Sequence, residues 1–235
     1  MKTLSYLLLC LTIFGCNATP VPKNAYFWHI KAHREAALIR EVIEEGDIVF
    51  RLSNTQLAGG LFDFSKEVAK ATQSNFSHAV LVYRVEDDGV ILADVTPRGL
   101  ERRYLIDWYL DPSKNVVITR LKPEYQFIKP MIMAKLKEYI EADPIYDTDF
   151  VPFDKQLYCT ELVDEIFREV GYPLADRIKI KDFPESKILF AMSCLVSGVD
   201  IETETVVAGN DRFGLFSSPM LEVILDLRTD ESKQP

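Results

Sequence analysis

The sequence predicts an α+β domain in which an antiparallel sheet packs against helices, and three observations carry that expectation. Short apolar strand patterns recur at Ile48–Leu52, 77–85, 90–95 and 115–121. Two of these runs are joined only by Glu86-Asp87-Asp88-Gly89, a hairpin signal. Helical periodicity stands apart, at 32–45, 125–142 and 160–170, instead of alternating with each strand.

The elements follow from their residues. Helix 32–45 sets Ala37, Leu38, Val42 and Ile43 on one face and stops at Gly46, and Asp47 opens the first strand. Residues 53–60 are small and polar, a loop, and a short helix follows over 61–71. After the hairpin and the strand 115–121 comes the amphipathic helix 125–142, then an aromatic and acidic loop over 144–156. In the last clear helix Leu162, Val163, Ile166, Phe167 and Val170 form the stripe that docks on a core, with Gly171 beyond its end.

The chain has 235 residues, 48% of them hydrophobic and 27% charged, enough for one sizeable core, which we place at 31–235. Its net charge of −9 becomes −10 without the first fifteen residues, which hold one lysine and no acid. So acidic a chain (pI about 5.0) lacks the clustered basic surface that nucleic acid requires. The adjacent pair Arg102-Arg103 reads as a solvated turn.

Lys2 and the apolar run 4–14 make residues 1–15 a signal peptide, since the run is too short to span a bilayer. Gly15-Cys16 at its end resembles the lipobox of bacterial lipoproteins, although Phe14 is bulkier than that motif usually carries. By that resemblance Cys16 is acylated, residues 16–30 form an anchor and linker, and the membrane holds the chain without being spanned. Cys10 leaves with the signal. Of the remaining cysteines, Cys194 lies in the apolar run 188–196 and suits a buried free thiol better than a disulfide to Cys159.

Cys159 stands at the start of the helix 160–170. There unpaired N–H groups and the positive end of the helix dipole favour a thiolate and leave a donor for an oxyanion. Of three histidines, His29 and His33 lie near the mature N-terminus, whereas His78 begins a strand that is otherwise nearly all apolar. A Cys/His pair needs a third group to fix the imidazole, and Asp94 is an acid inside the apolar returning strand. With a three-residue loop and Gly89 left-handed, Asp94 would face Val82, on the sheet side of His78 but about 13 Å along the strand. Contact then needs a bulge or slipped register, and Thr96, opposite Val80, is the reserve orienter.

Gly46-Asp47-Ile48-Val49-Phe50-Arg51, Ser77-His78-Ala79 and Tyr158-Cys159-Thr160-Glu161-Leu162-Val163 together resemble the YiiX/YebB-like, circularly permuted branch of the NlpC-type papain-like amidase superfamily. Pro144-Ile145-Tyr146-Asp147 resembles the Tyr-Asp pair of that pattern, and the likeness spans residues 46–171. It implies a permuted papain-like fold with the cysteine helix packed on an antiparallel sheet. It also implies Cys159 as nucleophile, His78 as base and Asp94 where a Glu or another polar orienter usually stands. Tyr158, Tyr146 and Ser77 become candidates for substrate or oxyanion contacts, with aromatic packing as the plainer role for the tyrosines. No metal or cofactor is expected. The implied activity is hydrolysis of an amide, a cell-wall peptide or related small substrate, by a periplasmic or outer-membrane lipoprotein. Two other readings stand beside it: a lipid acyl hydrolase or acyltransferase resembling lecithin:retinol acyltransferase, and a non-catalytic lipoprotein that binds a ligand.

Overall fold

The computed structural model describes residues 25–53, 56–57, 62–110, 114–147, 156–184 and 200–228. The expected signal peptide, with Cys10, and the residues Cys16 and Cys194 lie outside them.

Six strands form the main sheet: β1 (Ile48–Leu52), β4 (His78–Glu86), β5 (Gly89–Thr96), β6 (Gly99–Tyr104), β7 (Lys114–Leu121) and β12 (Leu221–Asp226), in the antiparallel order β12-β7-β1-β4-β5-β6. Three short pairings lie outside it. The pairs β2 (Gln56–Leu57) with β3 (Phe62–Asp63) and β10 (Ile178–Lys179) with β11 (Glu204–Thr205) are antiparallel, and β8 (Ile145–Tyr146) runs parallel to β9 (Gln156–Leu157). The α-helices are α1 (Ala25–Val42), α2 (Phe64–Ala71), α3 (Leu105–Leu110), α4 (Lys129–Ala142) and α5 (Cys159–Glu169).

Helices cover both faces of the sheet, not one. Val49, Val80, Val82, Leu92 and Ile118 pack with Ala32 and Ile39 of α1 and Leu105 and Trp108 of α3. Ile48, Phe50, Ala79, Leu81, Ala93 and Val117 pack on the other side with Ile132 and Leu136 of α4 and Leu162, Val163, Ile166 and Phe167 of α5. Ala79 to Val82 are therefore buried without alternation, which explains the unbroken apolar run in the sequence.

The expected strands hold to within a residue or two, but several elements differ. The first helix begins at Ala25 and ends at Val42, earlier at both ends than its apolar spacing suggested. Residues 123–128 form a 3-10 turn before α4, because Pro130 fits the first turn of a helix better than its interior. The Arg102-Arg103 pair is not a turn. It lies in β6, formed after the tight Pro97-Arg98 turn, and β12 closes the opposite edge. Gly99 carries φ +104, and a Cβ there would stand 2.9 Å from the Pro144 carbonyl oxygen. This lets the β5–β6 turn lie against the segment that leads into β8 and Tyr146.

Asp47 anchors the entry to β1. It is buried, accepts the Glu44 N–H at 2.7 Å, and meets Arg120 of β7 through Nε and a terminal nitrogen, both at 2.8 Å. Arg120 also donates to the Val42 carbonyl and pairs with Glu44, so the end of α1, the turn through Gly46 and strand β7 converge on one guanidinium. The Gly46-Asp47 motif is thus an architectural clamp.

Candidate active site

Cys159 is the first residue of α5, preceded by Tyr158 in extended geometry (φ −109, ψ 171). A strongly apolar stripe binds the helix to the sheet, so the thiol's place is fixed by packing well beyond its own turn. Cys159 is a free, partly exposed thiol, and its sulfur lies 3.9 Å from the Ser77 carbonyl oxygen.

The hairpin register explains how the histidine and the acid meet. The connection is a two-residue turn, Asp87-Asp88, with Glu86 opposite Gly89, so the expected three-residue loop is corrected. A register shift between Val82 and Arg84 leaves Tyr83 as an extra residue. Together these move the register by two residues: Leu81 faces Ala93, and continuing it sets Asp94 opposite Val80 rather than Val82. His78 and Asp94 then become diagonal neighbours on one face, a span of about 7–8 Å that long side chains bridge. His78 Nε2 lies 2.7 Å from Asp94 Oδ1. Thr96 is not the partner: its hydroxyl donates to Glu101 at 3.0 Å and accepts the Arg98 N–H.

Beyond Leu81 and Ala93 the β4–β5 ladder stops, although β4 continues to His78 and β5 to Thr96. Each strand keeps its outer partner, β4 with β1 and β5 with β6, so the two part between them. Val82 bonds to the segment that enters β1, its N–H donating to the Asp47 carbonyl and its carbonyl accepting the Gly46 N–H, and by alternation the odd-numbered groups of β4 point toward β5. Ala79 N–H is therefore released at the parting, on the side of the Cys159 thiol, where it favours the thiolate.

Burial would raise the Cys159 thiol, but the adjacent His78 imidazole and the Ala79 N–H outweigh it and hold the thiol below its ordinary value. Burial would lower His78; the Cys159 charge and the Asp94 carboxylate outweigh that and raise the imidazole to about 9. Opposite shifts in two neighbouring groups favour the charged, thiolate–imidazolium form of the pair. Burial alone would also raise Asp94, yet His78, Arg51 and Arg103 keep it ionised.

The remaining candidates separate. Tyr146 is half-buried beside the site: burial first, then the charges of Cys159, Asp147 and Asp94, push its hydroxyl upward. Ser77 contributes its carbonyl toward the thiol, while its hydroxyl meets the N–H and hydroxyl of Ser53 at 3.1 and 3.2 Å. Tyr158 precedes Cys159 as the N-cap residue of α5. Its hydroxyl is buried, lies 2.6 Å from Thr205 Oγ1 and accepts the Val206 N–H at 3.0 Å, pinning the start of α5. Sequence reasoning passed over Arg51, Arg103, Trp108 and the Ala79 N–H. The Pro97-Arg98-Gly99 turn after β5 was the available signal for a further hairpin strand carrying Arg103.

Glu161, two residues after Cys159, is fully buried and accepts the Tyr158 N–H at 3.4 Å, the reciprocal half of a capping box. Burial, then Glu165 and Asp147, raise its carboxyl from the ordinary 4.5 to about 9, so it is protonated at neutral pH. A raised folded value means stability fully present below about 4.5 that is lost as pH climbs toward about 9. Glu161→Gln mimics the neutral acid, so its melting temperature should gain on the wild type steadily between pH 5 and 9. Parallel melting curves over that range would contradict the protonated assignment.

Among the described residues no group of three or more His, Cys, Asp and Glu side chains is placed to hold a metal ion. No helix among them is long and apolar enough to cross a membrane.

The crystal structure of metalloprotein yiiX from Escherichia coli O157:H7 shares this fold, with a TM-score of 0.63 and 22% identity over 79% of this chain and 98% of that one. No curated protein matches the chain. Residues 42–225 match the model of a family described as permuted papain-like amidase enzyme, YaeF/YiiX, C92 family. The fold, the cysteine at the head of its helix and this match over most of the chain lead to one conclusion: the protein belongs to the YaeF/YiiX family of permuted papain-like amidases and is a hydrolase of the cysteine amidase type.

Proposed function

We propose that the protein is a lipoprotein anchored through Cys16 in the bacterial cell envelope, where it cleaves amide bonds of cell-wall-type peptides with Cys159, His78 and Asp94. The observation that carries this reading is the contiguous chain of contacts from the Cys159 thiol through His78 to Asp94 at 2.7 Å. The thiolate attacks the amide carbonyl, and the N-terminal N–H groups of α5 offer donors to the oxyanion. The His78 imidazolium gives its proton to the leaving amine. Now neutral, it takes a proton from water as that water attacks the thioester, which releases the acid and restores the pair. Asp94 holds the ring and stabilises its charged form. The leader sequence supports the compartment, and the compartment supports a murein peptide with γ-glutamyl or D-amino-acid amide bonds.

The test is mass spectrometry of such peptides incubated with the protein or with Cys159→Ala. Cleavage by the wild type alone is expected, falling away above about pH 9 as His78 loses its proton. Equal cleavage by Cys159→Ala would overturn the nucleophile. Turnover of phospholipid esters in a parallel arm, with none of the peptides, would replace the substrate class.

A further inference from the structure

The strongest unassigned feature is the cationic surrounding of Asp94. This carboxylate is fully buried, and its two oxygens go to different cations: Oδ1 to His78 Nε2 at 2.7 Å and Oδ2 to an Arg103 terminal nitrogen at 2.9 Å. Arg51 adds a third positive charge from β1, directly opposite His78 in the ladder. Arg51 is itself buried, with its guanidinium 3.9 Å above the Trp108 ring and a terminal nitrogen donating to the Trp108 carbonyl at 2.8 Å. Trp108 in turn flanks the His78 ring, with centroids 6.4 Å apart. The other charged groups acting here are Cys159 from α5 and, through Cys159 and Asp94, Tyr146 from β8. Glu101, opposite Asp94 on β6, is occupied by Thr96 and Arg98.

A carboxylate acting on one imidazolium alone would hold its proton hard. An acid that must protonate a leaving amine at every turnover cannot hold it without limit. We propose that Arg103 is a positioning residue that acts through Asp94, fixing the carboxylate in place and drawing off part of its charge so that His78 can release its proton. Arg51, locked on Trp108, supports the same balance from the opposite side of the ring. This rests on the Cys159–His78–Asp94 reading but is tested by a readout independent of turnover.

With three histidines in the chain, the imidazole Cε1–H resonances can be titrated by proton NMR, and His78→Ala identifies the His78 signal. Removing a cation beside Asp94 strengthens its hold on the imidazolium. The His78 midpoint in Arg103→Gln should therefore rise by about half a pH unit or more, while Arg103→Lys, which keeps the charge, stays close to the wild type. In an Asp94→Asn background the Arg103→Gln shift should fall to less than half. An unchanged or lowered midpoint in Arg103→Gln would overturn the proposal, as would a full-sized shift in the Asp94→Asn background. Should Arg103→Gln fail to fold, Arg103→Met, which keeps the aliphatic stem, carries the same test. Failure of the nucleophile assignment would appear separately, as undiminished peptide cleavage by Cys159→Ala.

Discussion

His78→Ala should slow alkylation of Cys159 by iodoacetamide at pH 5.5 by about tenfold or more. Without the imidazolium, burial is left to dominate and the thiol returns to its ordinary range or above. A thiol of ordinary pKa, about 8.5, is ionised to only about one part in a thousand at that pH. The wild-type thiolate is intrinsically less nucleophilic because its thiol is more acidic, which offsets a large part of the gain in ionisation. The effect should shrink as the pH rises toward 9, where a solitary thiol also ionises. Mass-spectrometric labelling rates of the two proteins at pH 5.5 and 8.5 decide the matter. Equal rates at pH 5.5 would mean that the histidine does nothing to the cysteine.

Arg120→Met should cost about 3–5 kcal/mol of folding stability, the usual cost of leaving a buried ion without its partner. Asp47 is 1% exposed, and its burial already raises its carboxyl despite the arginine. Removing the guanidinium also frees the Val42 carbonyl and the Glu44 carboxylate at the end of α1. Raising the folded-state value of Asp47 further makes its stability contribution one that is present in acid and lost as pH rises. The deficit measured by urea denaturation should accordingly be smallest near pH 4 and largest above pH 7. A loss below about 1 kcal/mol would place this pair among ordinary surface ion pairs.

The parts of the site readable in the sequence were those set by local chemistry. Cys159 heads a helix whose stripe is plain, and His78 interrupts an apolar strand; both signals lie within a few residues. The contact with Asp94 was not legible, because it depends on a two-residue turn and an extra residue at Tyr83. Both choices are made by the packing of the whole sheet. Arg103 escaped for a related reason: β6 is an edge strand with exposed Arg102 and Tyr104, so its outward face carries no apolar signature. Arg51 sat in view within the first motif, but nothing local said that a buried cation would stack on a tryptophan 57 residues away. The helices on both sheet faces were likewise decided by tertiary packing, although the unbroken apolar run in β4 hinted at it.

The parting of β4 and β5 has a consequence for the life of the chain before it folds. The sulfur takes its character from groups far away in sequence: the Ser77 carbonyl 82 residues earlier, the adjoining imidazole and a backbone amide released only where two strands separate. None of these surrounds the cysteine in an extended chain. A newly made polypeptide thus carries an ordinary, sluggish thiol, and the reactive one comes into being when α5 seats against the finished sheet. Folding itself is the activation step.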